Sequence, residues 1–408
     1  MTNAELSPLF FLAMACILAA SRVVGWAARR FLGQPQVVGE MIAGVLLGPS
    51  LLGWLAPGVE AMLFPPELKK ILYVGAQLGV GLYMFLVGLT FSREEFRLNA
   101  GRAAAVSVAG MAAPFAAAAA MAPWLIAQNG LFMPHVGVAQ ASLFLGAAIA
   151  ITAFPMLARI IHEQGLAGTR MGTLSLAAGA IGDAGAWVVM ALVLASLGAG
   201  PAVAVKAAGG GLAFALVMAL VAPRLLAPLG HRAEAQGMDD GLLTLVLGLF
   251  LLCAWAMDAC GMHAVFGGFL LGTAMPRGAL AEGLRARLEP FATTFLLPMF
   301  FTFSGLNTQL QVLGKLDLVL VTLAIMAAAV LAKGGACYLA ARLSGEDNRS
   351  ALGIGALMNA RGLMELIIIN IGLQAGIIGP GLFAILVLMA IVTTLMASPL
   401  LALSRRFG

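Results

Sequence analysis

Charge is what this chain has least of: 10% of its 408 residues are Asp, Glu, Lys or Arg, against 62% that are hydrophobic. A soluble chain of this length needs roughly a quarter charged residues to cover its surface. Lipid must therefore solvate most of this one, which excludes a soluble enzyme or regulatory domain. Cysteine is scarce as well. Cys16, Cys253, Cys260 and Cys337 stand singly in apolar segments, with neither CxxC spacing nor paired histidines nearby, so a disulfide frame and a zinc site are excluded. No Gly-x-Gly-x-x-Gly follows a strand pattern, and no cofactor is expected. The formal charge of +5 comes from basic residues scattered over short loops, without a stripe interleaved with aromatics, so nucleic acid is not an expected partner. The start, MTNAELSPLF, carries Glu5 where a signal peptide carries basic residues, so the first apolar run is expected to stay as a span.

What is present is one apolar run after another. With ~20 residues per crossing, the breaks at Pro, Gly and charge clusters give about thirteen spans, among them 138–162, 167–197, 316–343 and 350–376. The expected class is an all-α polytopic membrane protein. Loop charges test this independently: alternate loop ends hold the arginines, from Arg29 and Arg30 to Arg405 and Arg406, whereas the opposite ends hold Lys69, Lys70, Lys206 and Lys315. By the excess of basic residues on cytoplasmic loops, the N-terminus is expected outside and the C-terminus in the cytoplasm of a plasma (inner) membrane.

Few charges fall within the spans. Arg22, Glu40 and Asp258 lie toward helix ends, where a long side chain reaches water at small cost. Asp183 sits near the middle of TLSLAAGAIGDAGAWVVMALVL (173–194), and Lys333 lies past the middle of its own span. A charge at such depth costs upward of ~2.5–3.5 kcal/mol and normally faces a partner or a water-filled path. Arg361 and Glu365 share one span at i, i+4 spacing, which allows an ion pair on one turn.

Two spans carry breaks near their centres. In Thr152-Ala153-Phe154-Pro155 the proline ring clashes with the preceding turn, and in Asn359-Ala360-Arg361-Gly362 a poor helix former meets glycine. These are spans five and twelve, seven apart. Spans one to six and eight to thirteen can then be inverted copies joined by span seven, and paired broken helices in such a repeat point to a transporter's midplane site.

The ordered motifs VVGEMIAGVLLGPSLLGW (37–54), LYMFLVGLTF (82–91), ITAFPMLARII (151–161), IGDAGAW (181–187), GMHAVFGGFLLGTAMP (261–276), LLPMFFTFSGLNT (296–308), KGGACYLAARLSG (333–345) and NARGLMELIIINIGL (359–373) cover nearly the whole chain. In these the chain resembles the monovalent cation/proton antiporter superfamily (CPA2 type), most closely the plant cation/H+ exchanger branch. The resemblance implies a sodium/proton antiporter fold, an inverted repeat with two crossed broken helices. It also implies a division into panel helices one to three (1–98), core helices four to six (99–198), linker helix seven (199–236), panel helices eight to ten (237–312) and core helices eleven to thirteen (313–408). The panel would dimerise, making the protein a homodimer, and Glu40 would belong to it. Asp183 matches the cation- and proton-binding aspartate, Lys333 the basic residue on the facing helix, Thr152 the polar group of the unwound stretch beside the ion, and Arg361 the motif arginine of span twelve. Backbone groups near Ala153, Phe154, Asn359 and Ala360 complete the expected site. One departure stands out: relatives carry Asp, Asn or Gln before the aspartate, and this chain has Gly182.

A buried carboxylate suits exchange because it holds either H+ or a hard monovalent cation such as K+ or Na+, never both. One titrating carboxylate beside a Lys333 that keeps its proton implies electroneutral 1:1 exchange; a Lys333 that releases its proton when the cation binds would make exchange electrogenic. The histidines His162 and His231 fall on loops and His263 at a helix start. A gated K+ efflux system is the alternative within the same superfamily. It depends on a cytoplasmic nucleotide-binding domain, and the chain ends at SRRFG, so a separate regulatory subunit would be needed. An intramembrane aspartyl protease is the alternative from an enzyme class, but it requires two carboxylates sharing a proton.

Overall fold

The computed structural model describes residues 3–91, 93–128, 130–194, 201–306, 316–361 and 363–404. Gly362, Lys315, Arg405 and Arg406, used above, lie outside the described residues. In chain order the helices are α1 (Asn3–Leu32), α2 (Gln36–Leu47), α3 (Leu52–Leu55), α4 (Pro57–Leu63), α5 (Pro66–Thr90), α6 (Arg93–Ala127), α7 (Val138–Ala150), α8 (Phe154–Glu163), α9 (Arg170–Leu194) and α10 (Pro201–Leu220). They continue as α11 (Ala222–Gln236), α12 (Asp240–Ala259), α13 (Ala264–Ala274), α14 (Ala279–Phe291), α15 (Leu297–Leu306), α16 (Leu316–Ala328), α17 (Gly335–Leu343), α18 (Asn348–Leu357), α19 (Leu363–Gln374) and α20 (Pro380–Ser404). Among the described residues, ten candidate spans are long and apolar enough to cross a membrane. The other expected passes are the eleven-residue α13, the pair α14–α15 joined through a π-helical turn at Ala292–Leu296, and the interrupted pair α18–α19.

The outward faces of these helices are apolar. Val205, Leu331 and Trp255 are each about 70% exposed, as befits side chains solvated by hydrocarbon rather than water. Inside, two groups of helices form. α5 packs against α13 and α15, and α2 against α1 and α15; elsewhere α6 packs against α7, α9 and α17, and α20 against α16 and α18. Small residues permit the closest approaches. A β-carbon on Gly88 of α5 would lie 2.9 Å from the Gly272 α-carbon of α13, so those backbones touch only because both positions are glycine.

Helix ends outside the membrane follow ordinary capping. Asp239 caps α12 by accepting the Leu242 N–H at 2.6 Å and pairs with Arg232 at 2.7 Å. The Leu242 N–H, helped by Arg232, holds the Asp239 carboxyl below the usual carboxylate range. Because the folded value is the lower one, this contribution is complete above the ordinary value of about 4 and disappears as pH falls through the folded value. We expect the melting temperature of Asp239→Ala to lie below the parent's by a constant margin from neutral to weakly acidic pH, with the margin closing in stronger acid. Thermal unfolding across a pH series measures it.

Candidate functional site

Span five breaks where expected. α7 ends at Ala150, residues 151–153 run extended, and α8 restarts at Phe154 with Pro155 in its first turn. In that turn the missing proline N–H costs nothing, whereas a continuous helix would drive the ring into the Ile151 carbonyl. Span twelve breaks after α18, and the unwound stretches cross. The Ala153 N–H donates to the Ala360 carbonyl at 3.0 Å, and the Thr152 hydroxyl donates to the Met358 carbonyl at 3.0 Å. These two bonds occupy backbone groups that helix would otherwise pair.

The end of α7 presents free carbonyls and the negative end of its dipole. Two buried cations meet them. Arg361 donates from Nη1 to Ala148 O at 2.9 Å and from Nη2 to Ile149 O at 2.6 Å, and Lys333 Nζ donates to Ala150 O. Three successive carbonyls are thus capped by side chains from two other spans. Arg361 Nη1 also pairs with Glu365 Oε1 at 3.1 Å, with both side chains fully buried. Lys333 itself lies on a π-helical turn, Ala329–Gly334, between α16 and α17. Asn359 donates from Nδ2 to Gly355 O at 3.1 Å, and its buried Oδ1 accepts no bond.

Asp183 is 1% exposed on α9 and faces the start of α8, within electrostatic reach of the Phe154 N–H and of Lys333. Neither carboxylate oxygen has a partner at full hydrogen-bond geometry, the Phe154 N–H being the donor turned toward them. Lys333 spends its bond on α7, so it supports the aspartate as a nearby charge rather than as a direct ion pair. A buried carboxylate left open in this way has two oxygens available for a proton or a cation. Gly182 beside it contributes only backbone.

Other singled-out residues lie elsewhere. Glu40 is buried on α2, where it accepts from Gln36 Nε2 at 3.2 Å, while Asp258 and Arg22 are exposed. No hydrogen bond joins Asp183 to a second carboxyl group, and Asp258 stands exposed on α12. His263 caps α13 by accepting the Val265 N–H at 3.3 Å and lies against Trp187. His162 approaches Glu289 at 3.7 Å, and His231 is a solvated residue near Glu234.

Two features escaped the sequence reading. Thr394 of α20 clamps the second unwound stretch: its hydroxyl oxygen accepts the Arg361 N–H at 3.0 Å and lies 3.0 Å from Arg361 O. The Thr393-Thr394 pair in an otherwise apolar span was the available signal. On one side of the crossing, α8 also meets α2, where Glu163 Oε2 accepts the Gln36 N–H at 2.5 Å and Glu163 Oε1 accepts from Arg159 Nε at 2.7 Å. An apolar cavity of about 610 Å³ lies beyond α9, lined by residues such as Ile181, Ala184, Gly211, Phe266 and Phe269. Phe154 and Phe269 meet edge to face at 4.7 Å, beside the start of α8.

Residues 17–403 match the family model described as sodium/hydrogen exchanger, transmembrane. The chain is 36% identical over 393 residues to Na(+)/H(+) antiporter NhaS4 of Synechocystis sp., covering 94% of each. It is 33% identical over 400 residues to cation/H(+) antiporter 18 of Arabidopsis thaliana, covering 96% of this chain and 48% of that one, so it spans about half the length of this plant relative. Two structures of the sodium proton antiporter MjNhaP1 from Methanocaldococcus jannaschii match at TM-scores of 0.68 and 0.71, covering 99% and 100% of this chain and 98% and 97% of theirs. At 14% identity this likeness is one of fold.

Proposed function

The chain belongs to the family of transmembrane sodium/hydrogen exchangers, and from that premise we propose that it is a transporter rather than an enzyme, a secondary active antiporter exchanging K+ or Na+ for H+ at Asp183. The observation that carries this reading is the state of the carboxylate: 1% exposed, with neither oxygen held at full hydrogen-bond geometry, while the neighbouring cations are bonded to α7. Proton and cation compete for those oxygens. The Thr152 hydroxyl oxygen and the backbone around Ala153, Phe154, Asn359 and Ala360 supply the polar lining.

In this reading the core, helices four to six and eleven to thirteen (99–198 and 313–408), carries the loaded site across by moving against the panel (1–98 and 237–312), with 199–236 as the linker. The separate packing of α6, α7, α9, α17, α18 and α20 from α1, α2, α5, α13 and α15 supports that division. Elevator-like movement must then break and remake contacts such as Gln36–Glu163. The protein works as a homodimer in the lipid of a plasma (inner) membrane, with its N-terminus outside and its C-terminus cytoplasmic, as the loop arginines support.

With one titrating carboxylate and a Lys333 that stays protonated, one cation exchanges for one proton. In proteoliposomes carrying a pH-sensitive dye, Na+, K+, Li+ and Rb+ added in turn should drive proton movement and rank the ions. An imposed membrane potential should leave the reversal point where the ion gradients alone put it; a persistent shift of that point would show electrogenic exchange and implicate Lys333 as a second titrating group.

A further inference from the structure

A lone carboxylate is a poor cage for an alkali cation, which sheds water only for several oxygen ligands. Gly182 offers no side chain, yet the space it leaves is occupied. A β-carbon built on Gly182 would lie 3.3 Å from Ser107 Oγ, so the hydroxyl of α6 stands where a side chain at position 182 would point. Ser107 is 1% exposed, and its hydroxyl has no hydrogen-bond partner among the described residues.

Ser175 and Ser398 share that isolation, but Ser107 is the one that lies against Gly182. Ser142, Thr322 and Thr393 all donate to the carbonyl one turn earlier in their own helices, the ordinary resting place for a hydroxyl in an apolar span. Ser107 forgoes that bond and lies against the helix turn that carries Asp183. One residue away, the Val106 carbonyl accepts from Cys337 Sγ at 3.6 Å, and α6 also packs against the π-helical turn of Lys333. Ser107 therefore occupies the helix that joins the Asp183 and Lys333 elements. A buried hydroxyl that bonds to no protein group costs stability and calls for a reason.

We propose that Ser107 is a ligand of the transported cation and a determinant of its selectivity, supplying from α6 the side-chain oxygen that Gly182 does not. This deepens the assignment of Asp183 and rests on it. A hydroxyl offers two lone pairs without a titrating proton. It therefore adds a ligand while leaving one carboxylate to set the proton count. Its short stem on a packed helix fixes the ligand distance, which is how a neutral oxygen discriminates among ions of one charge.

The test is a cation titration at fixed pH gradient in proteoliposomes, for the parent and for Ser107→Ala, Ser107→Thr, Gly182→Asn, Ser107→Ala/Gly182→Asn and Asp183→Asn. Loss of one ligand bond should raise the apparent KM of Ser107→Ala for the preferred cation roughly three- to tenfold. The ranking of Li+, Na+, K+ and Rb+ should flatten, while the rate at saturating cation stays near the parent's. Ser107→Thr, which keeps the hydroxyl, should retain the parental ranking. Gly182→Asn alone should be impaired because its side chain meets Ser107, and removing that hydroxyl in the double variant should restore low KM. Parental KM and ranking in Ser107→Ala, with Asp183→Asn inactive, would overturn the Ser107 proposal and leave Asp183 standing. Parental exchange in Asp183→Asn would overturn the Asp183 assignment and this proposal with it.

Discussion

Asp183→Asn is expected to reduce cation-driven proton movement to the level of empty liposomes for every ion tried. The amide keeps the size and shape of the carboxyl group but neither gains nor loses a proton in the working range. If cation and proton use one pair of oxygens, exchange has no residual route. The same substitution should leave the fold intact or strengthen it, because the parent buries a carboxyl group with no partner at full hydrogen-bond geometry and the amide relieves that burden. Loss of exchange with an unchanged or raised melting temperature is thus the signature of a site held at some cost to stability. Loss of exchange with a lowered melting temperature would instead mark Asp183 as a structural group.

The opposite pattern is expected at Arg361. Its guanidinium holds the Ala148 and Ile149 carbonyls and the Glu365 carboxylate together, all inside the protein. Arg361→Ala strands a buried charge and uncaps a helix end, a loss of about 3–5 kcal/mol, so we expect both a melting temperature lowered by several degrees and loss of exchange. Lysine keeps the charge but lacks the planar fork that reaches two carbonyls and a carboxylate at once, so Arg361→Lys should recover only part of each. The double variant Arg361→Met/Glu365→Leu replaces the pair by apolar side chains and should regain stability over Arg361→Ala without regaining exchange. Calorimetry in detergent and the proteoliposome assay separate the two effects.

These residues also show what a sequence can reveal of such a site. The broken helices were legible because their causes are local: Pro155 cannot follow a helical turn, and Asn359 is a poor helix former. Asp183 was legible because burial of a charge is costly wherever it occurs. The destinations of the cations were not legible. Lys333 reads as the facing charge for Asp183, but its bond runs to Ala150 O, and that choice depends on how three spans far apart in the chain meet. Hydroxyls carry even less signal, since most serines and threonines in apolar helices bond to their own backbone. Thr394 bonds to its own helix as Thr322 does and differs in what the fold brings alongside it, whereas Ser107 lacks even that bond, which its sequence does not show.

Proton release on cation binding tests the shared site most directly. In a weakly buffered, dye-containing solution of the purified protein, saturating Na+ or K+ should displace one proton per chain at a pH where the site is protonated, with the yield falling away as pH rises and the site empties of protons. Asp183→Asn should release none. Cation binding that proceeds in the parent with no proton released at any pH, or an equal release from Asp183→Asn, would contradict competition at Asp183.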